Sequence, residues 1–103
     1  MLVDDLFART RLLLGHNGLD RLAAARVAVF GVGGVGGYAV EALARSGGGA
    51  LDLIDSDTVD ATNLNRQIIA TMDAVGRPKT QVAAERVASI NPSCICLLYT
   101  SPS

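Results

Sequence analysis

Apolar residues gather along this chain in short runs and in helical stripes, and the two alternate. Val27 to Phe30 is an uninterrupted apolar run ending on a glycine cluster, as expected of a buried strand entering a tight turn. Gly34 to Arg45 follows as a helix, and its Ala39, Ala42, Leu43 and Ala44 suit close packing on a sheet. Gly47 to Gly49 reads as a helix stop and turn, and Leu51 to Ile54 as a second strand. Between Pro78 and Ile90, the residues Val82, Ala83, Val87 and Ile90 form one inward stripe. Pro78 fits the first turn of that helix, where its missing N–H costs nothing, and Asn91-Pro92 ends it. A third strand is expected to begin near Cys94. Upstream, helices near Val3 to Leu14 and Leu19 to Ala25 form an arm. Strands alternating with helices predict an α/β protein: a Rossmann-like parallel sheet with flanking helices, preceded by a helical N-terminal arm.

Composition narrows this picture. The chain has 103 residues, half of them hydrophobic, and a formal charge of −1, enough for one small domain with a modest core. Near-neutral charge gives no global footprint for nucleic acid, so any such contact would need a local basic patch. No apolar run reaches membrane-spanning length, and Met1 to Asp5 lacks the cationic start of a signal peptide, so a cytoplasmic protein is expected. Cys94 and Cys96 form a C-x-C pair, too close for a C-x-x-C knuckle and without partner cysteines; they read as small hydrophobes on a strand. No metal ligand is assigned within the chain.

The chemistry begins in the glycine cluster. Gly31, Gly33 and Gly36 fit G-x-G-x-x-G, with a strand before them and a helix after. Glycine serves here because the turn uses strained dihedrals and phosphates must approach the backbone closely. Asp55 stands about 20 residues on, where an acidic side chain meets ribose hydroxyls. Together these predict an adenine nucleotide site.

The residues after Asp55 bear on what the nucleotide does. The run is DSDTVDATNLNRQ, and Lys79 follows in GRPK. Lys79 lies one turn before Val82 and Ala83, on the edge of the buried stripe, and at a helix N-terminus where the macrodipole opposes a cation. Both placements suggest an anion nearby; a solvated lysine snorkelling from the helix edge is the plain alternative. Asn63 and Arg66 share a face if the segment after Thr62, a candidate N-cap, is helical. Asp57 and Asp60 read as loop residues, with Asp57 a candidate for shaping the site. His16, in GHNG, reads as an exposed loop residue.

The motifs GVGGVG, DSDTV, TNLNRQ, GRPK and INP, in that order from about Leu6 to Ser93, resemble the adenylating family of the molybdopterin-, thiamine- and ubiquitin-type activating enzymes. Within it the likeness leans to the tRNA threonylcarbamoyladenosine dehydratases, on LFARTRLLLGHNGLDRL, EALARSG and NRQI followed by Ala70. The resemblance implies ATP as the nucleotide, lined by Gly34 and held at its ribose by Asp55. It implies that Asn63, Arg66 and Lys79 hold the phosphates while a carboxylate attacks the α-phosphorus. It also implies a homodimer, in which Arg9 reaches the ATP of the other subunit, and a magnesium ion whose aspartate ligand lies past the resemblance. The expected activity is adenylation of the carboxylate of threonylcarbamoyladenosine in tRNA, followed by cyclisation with loss of water. Adenylation of a ubiquitin-like sulfur carrier is the alternative, and a plain NAD-binding module the reading from another class, against which Arg66 and Lys79 stand. After Ile95 the sequence CLLYTSPS fits no later motif of the family. The expected division is therefore an arm over 1–25, the first part of a nucleotide-binding domain over 26–95, and a non-native tail over 96–103, leaving a truncated sheet with an open edge.

Overall fold

The computed structural model describes residues 8–100, and side chains from Leu12 onward. Helix α1 (Ala8–Ala24) is broken at Gly15, whose φ of 73° and ψ of 172° are not helical, so it is two helices meeting at a kink. Residues 3–7 of the first expected helix lie outside the described residues. Strand β1 (Arg26–Phe30), helix α2 (Gly34–Ser46), strand β2 (Ala50–Ile54), helix α3 (Lys79–Ile90) and strand β3 (Ile95–Tyr99) follow. Two single 3-10 turns, Ala61–Asn63 and Met72–Ala74, lie between β2 and α3.

The strands make one parallel sheet in the order β1-β2-β3. Val29 stands opposite Leu53, and Leu51 opposite Cys96. Their alternation sends Val29, Leu51 and Leu53 towards α2 and α3, where they pack with Val40, Ala44, Ala83 and Val87. Residues one step out of phase point the other way, and Phe30 there is 79% exposed. The unbroken apolar run of β1 is thus buried on one face only. Strand β3 takes in Cys96 to Tyr99, residues set apart from the domain by the motif reading, and they pair in register with Leu51 to Ile54.

Helix α2 buries Gly37, Val40 and Ala44. Ala39 and Ala42, expected against the sheet, are exposed; positions 37, 40 and 44 share the inward face, and these two lie off it. Gly47 stops α2 in the left-handed region (φ 100°), with backbone N–H groups returning to Ala44 and Leu43. Asn91 does more than end α3. It is 1% exposed, and its side-chain amide donates to the carbonyls of Ala44 and Gly48, tying the ends of α2 and α3 together. Glu41 of α2 accepts from Arg86 of α3 and from Arg45, and these bonds hold its carboxyl below the usual range against the opposing effect of its burial.

Candidate nucleotide site

The site forms where β1 and β2 end. Gly31 leaves β1 with φ 83°, a conformation open to glycine, and its N–H donates to Ile54 carbonyl at the end of β2 (2.7 Å). Five residues on, a Cβ at Gly36 would stand 1.6 Å from the Gly31 carbonyl oxygen, so only glycine lets α2 cross the strand this closely. Gly33 precedes the first residue of α2 and offers no side-chain cap, which leaves the first N–H groups of the helix available to an anion.

Asp55, one residue past β2, faces this loop. Its Oδ2 accepts the Val32 N–H (2.9 Å) and its Oδ1 the Asp57 N–H (2.9 Å). The acid predicted to meet the ribose therefore also fixes the glycine loop. An ionised carboxylate has about four acceptor positions, so capacity remains for hydroxyl groups.

The same hydrogen bonds run on to Lys79. The Asp57 carbonyl accepts the Lys79 N–H (3.0 Å), Thr58 bridges Pro78 in antiparallel fashion, and Val59 exchanges bonds with Gly76 and Arg77. This short ribbon joins the acidic loop to the N-terminus of α3. Lys79 is 7% exposed, and among the described residues no acceptor lies within hydrogen-bond distance of its ammonium group. Its charge does reach Asp60. The Thr62 N–H and hydroxyl, with Lys79 behind them, hold that carboxyl below the usual range.

Two expectations need correction. The cap of the turn after β2 is Asp60, not Thr62: Asp60 accepts the Thr62 N–H while Asn63 Oδ1 accepts the Asp60 N–H (2.9 Å each). This reciprocal box closes a single 3-10 turn rather than a helix. Asn63 and Arg66 do lie one turn apart, with the Asn63 carbonyl accepting the Arg66 N–H (3.2 Å), but their side chains differ in exposure. Asn63 is buried, whereas Arg66 is exposed and donates to the Thr62 carbonyl and to Asn65 Oδ1. The glycine loop, Asp55, Asp57 and Lys79 are thus joined by direct hydrogen bonds, and Arg66 stands outside that chain of bonds. The side chain of Arg9 lies outside the described residues.

Sequence reasoning passed over Gln67. Its carboxamide lies against Gly33, where a Cβ would meet Oε1 at 2.6 Å. Its only sequence signal is its place at the end of NLNRQ. A cavity of about 230 Å³ lies elsewhere, between the loop of Thr71 to Arg77 and α3, over Ile69 and Val82. It contains none of the predicted site residues. Among the described residues no three Asp, Glu, His or Cys side chains converge as a metal site. Burial pushes the Cys96 thiol up to about 11, with Cys94 beside it also raised, which suits small hydrophobes rather than nucleophiles.

The glycine loop, its clamping acid and the lysine at the head of α3 sit on a chain that belongs to the ThiF family, whose model matches residues 7–101. Among curated proteins, it is similar to the tRNA threonylcarbamoyladenosine dehydratase of Bacillus subtilis, 52% identical over 88 residues that are 85% of this chain and 35% of that protein. The Escherichia coli protein of the same name is also 52% identical over 88 residues, and the SAMP-activating enzyme E1 of Haloferax volcanii is 43% identical over 79 residues, 77% of this chain and 29% of that protein. This chain spans about a third of the length of these relatives. Among solved structures, the E. coli dehydratase TcdA in complex with ATP superposes with a TM-score of 0.92 at 47% identity, over 94% of this chain and 40% of that one. E. coli MccB with ATP follows at 0.86 and 31%, over 93% of this chain and 31% of that one.

Proposed function

We propose that this chain binds ATP and forms the nucleotide-binding part of an enzyme that adenylates a carboxylate, with threonylcarbamoyladenosine in tRNA as the substrate. The observation that carries the reading is the run of hydrogen bonds from Val32 through Asp55 and Asp57 to Lys79, a lysine only 7% exposed whose ammonium makes no hydrogen bond or ion pair among the described residues. It gathers helix N-terminal donors, a ribose acceptor and a cation into one continuous structure, a pattern suited to a nucleotide phosphate chain. The dehydratases named above, one of them in complex with ATP, support the same choice.

The chemistry follows from those groups. A substrate carboxylate oxygen attacks the α-phosphorus, a new P–O bond forms, and the bond to the bridging oxygen breaks. Pyrophosphate leaves with the electron pair. Charge grows on the phosphates as this happens, and a fixed cation at Lys79 lowers the barrier most where that charge peaks. Arg66 joins it by swinging from its local acceptors. Closure of the threonylcarbamoyl group on the activated carbonyl then expels AMP, which carries off the oxygen formally lost as water. Magnesium, when bound, neutralises phosphate charge. The reading includes a cytoplasmic homodimer in which Arg9 reaches the neighbour's ATP, and the exposed Leu12 and Leu13 of α1 (85% and 87%) suit such an interface.

The test is AMP and pyrophosphate formation by an intact protein containing this chain. Release on adding tRNA that bears threonylcarbamoyladenosine is expected. Release only on adding a ubiquitin-like carrier would move the substrate to a protein C-terminus, and no release with either would reject adenylation.

A further inference from the structure

Gly33 is a glycine for an unexpected reason. Its φ of −88° and ψ of 178° are open to any residue, so backbone freedom does not require it. What a side chain would meet there is one group. The three nearest atoms to a Cβ are Oε1, Cδ and Nε2 of Gln67, at 2.6, 2.8 and 3.0 Å. The whole carboxamide lies on the Cα of Gly33, at the uncapped N-terminus of α2. Gln67 is held in place from its backbone, donating to the Asn63 carbonyl (2.9 Å) and accepting from Ala70 N–H (3.0 Å).

The carboxamide is not satisfied where it sits. Oε1 is buried and has no hydrogen-bond partner, a cost that folded proteins rarely retain without a use. Its last torsion is soft, so the group can turn and exchange the places of its oxygen and its two N–H donors. We infer that Gln67 is a phosphate-contacting residue: its amide donates to a nucleotide phosphate oxygen at the N-terminus of α2, and Gly33 is glycine to make room for it. This rests on the nucleotide reading above. The ligand chemistry is a phosphoryl oxygen, which accepts and cannot donate, so the nitrogen must be the end that turns towards it.

The test uses Gln67→Ala, Gly33→Ala and the double variant on the full chain, titrated with ATP and with adenosine. An alanine at 33 meets only the far end of a flexible side chain, so it acts by displacing the carboxamide. Each single variant should weaken ATP about ten- to hundredfold, the range for losing a hydrogen bond to a charged group. The double variant should be no worse than either single one, and adenosine, which has no phosphate, should bind all of them alike. Gln67→Glu, which keeps the shape and replaces donors with negative charge, should lose more ATP affinity than Gln67→Ala. Losses from the two single substitutions that multiply would mean that Gly33 serves the phosphate directly, and overturn the inference. So would ATP affinity unchanged in Gln67→Ala, or adenosine affinity falling in parallel. If the unsubstituted chain does not bind ATP, the nucleotide reading falls and this inference with it; if it does, only the inference is at stake.

Discussion

Lys79→Met should make the protein more stable and less able to bind ATP. Lys79 heads α3 and is 7% exposed. A cation at that end is opposed by the helix dipole, by about 0.3–1 kcal/mol. Methionine matches the length of the stem and buries a thioether where the ammonium lacks an acceptor. The counterweight is Asp60, whose carboxyl feels Lys79 as the last of its influences; it is exposed, so water and salt screen the attraction. The dipole wins, and a gain of about 0.5–1 kcal/mol is expected from its range. At roughly 4–8 °C per kcal/mol for a domain of this size, Tm should rise by about 2–8 °C. Binding moves the other way. Losing a hydrogen bond to a charged phosphate costs about 1.5–3 kcal/mol, or roughly ten- to 150-fold in Kd. Thermal unfolding by circular dichroism without nucleotide reads the first effect, and calorimetric titration with ATP the second. A fall in Tm of several degrees would mean that the ammonium is satisfied within the protein, and the argument for an anion beside it would fail. A higher Tm with undiminished ATP affinity would remove Lys79 from the site.

Two further substitutions probe the frame around the site. Gly36→Ala places a Cβ 1.6 Å from the Gly31 carbonyl oxygen, where only backbone can yield; a loss above about 3 kcal/mol is expected, and an unchanged Tm would refute the close crossing of α2 over β1. Glu41→Gln tests the carboxyl held down chiefly by Arg86. Because its folded value is depressed, its stabilisation is complete above the unfolded value near 4.5 and lost as pH falls through the folded value. The variant should therefore unfold with a shallower dependence on pH below about 4.5, and an identical acid limb in both proteins would contradict the Glu41–Arg86 link.

The alternation of apolar runs and helical stripes made most of the fold legible. β1, α2, β2 and α3 lie within one or two residues of their expected limits, because Gly31, Gly47 and Pro78 punctuate the chain by local conformation alone. What stayed hidden depends on contacts distant in sequence. Ala39 and Ala42 look as suitable for burial as Val40 and Ala44, and only the position of the sheet selects between them. Asn91 looks like a helix stop until the carbonyls of Ala44 and Gly48 arrive beside it. In the site, Asp55 could be placed by its distance from the glycines, but its grip on Val32 N–H could not. Thr62 and Asp60 are both good caps by type, and the choice fell to Asp60 because Asn63 returns a bond to it. That choice is local, whereas Gln67 was invisible because its meaning lies in Gly33, far back along the chain.

The central claim is that the loop of Gly31 to Gly36, Asp55 and Lys79 form one site for a nucleoside triphosphate. The most direct measurement is calorimetric titration of this chain with ATP and with NAD, repeated on Asp55→Ala and Lys79→Ala. The account predicts one ATP bound per chain, weaker binding in both variants, and no displacement of ATP by an equal concentration of NAD. Tight binding of NAD that is indifferent to Lys79, with ATP unable to compete, would contradict it.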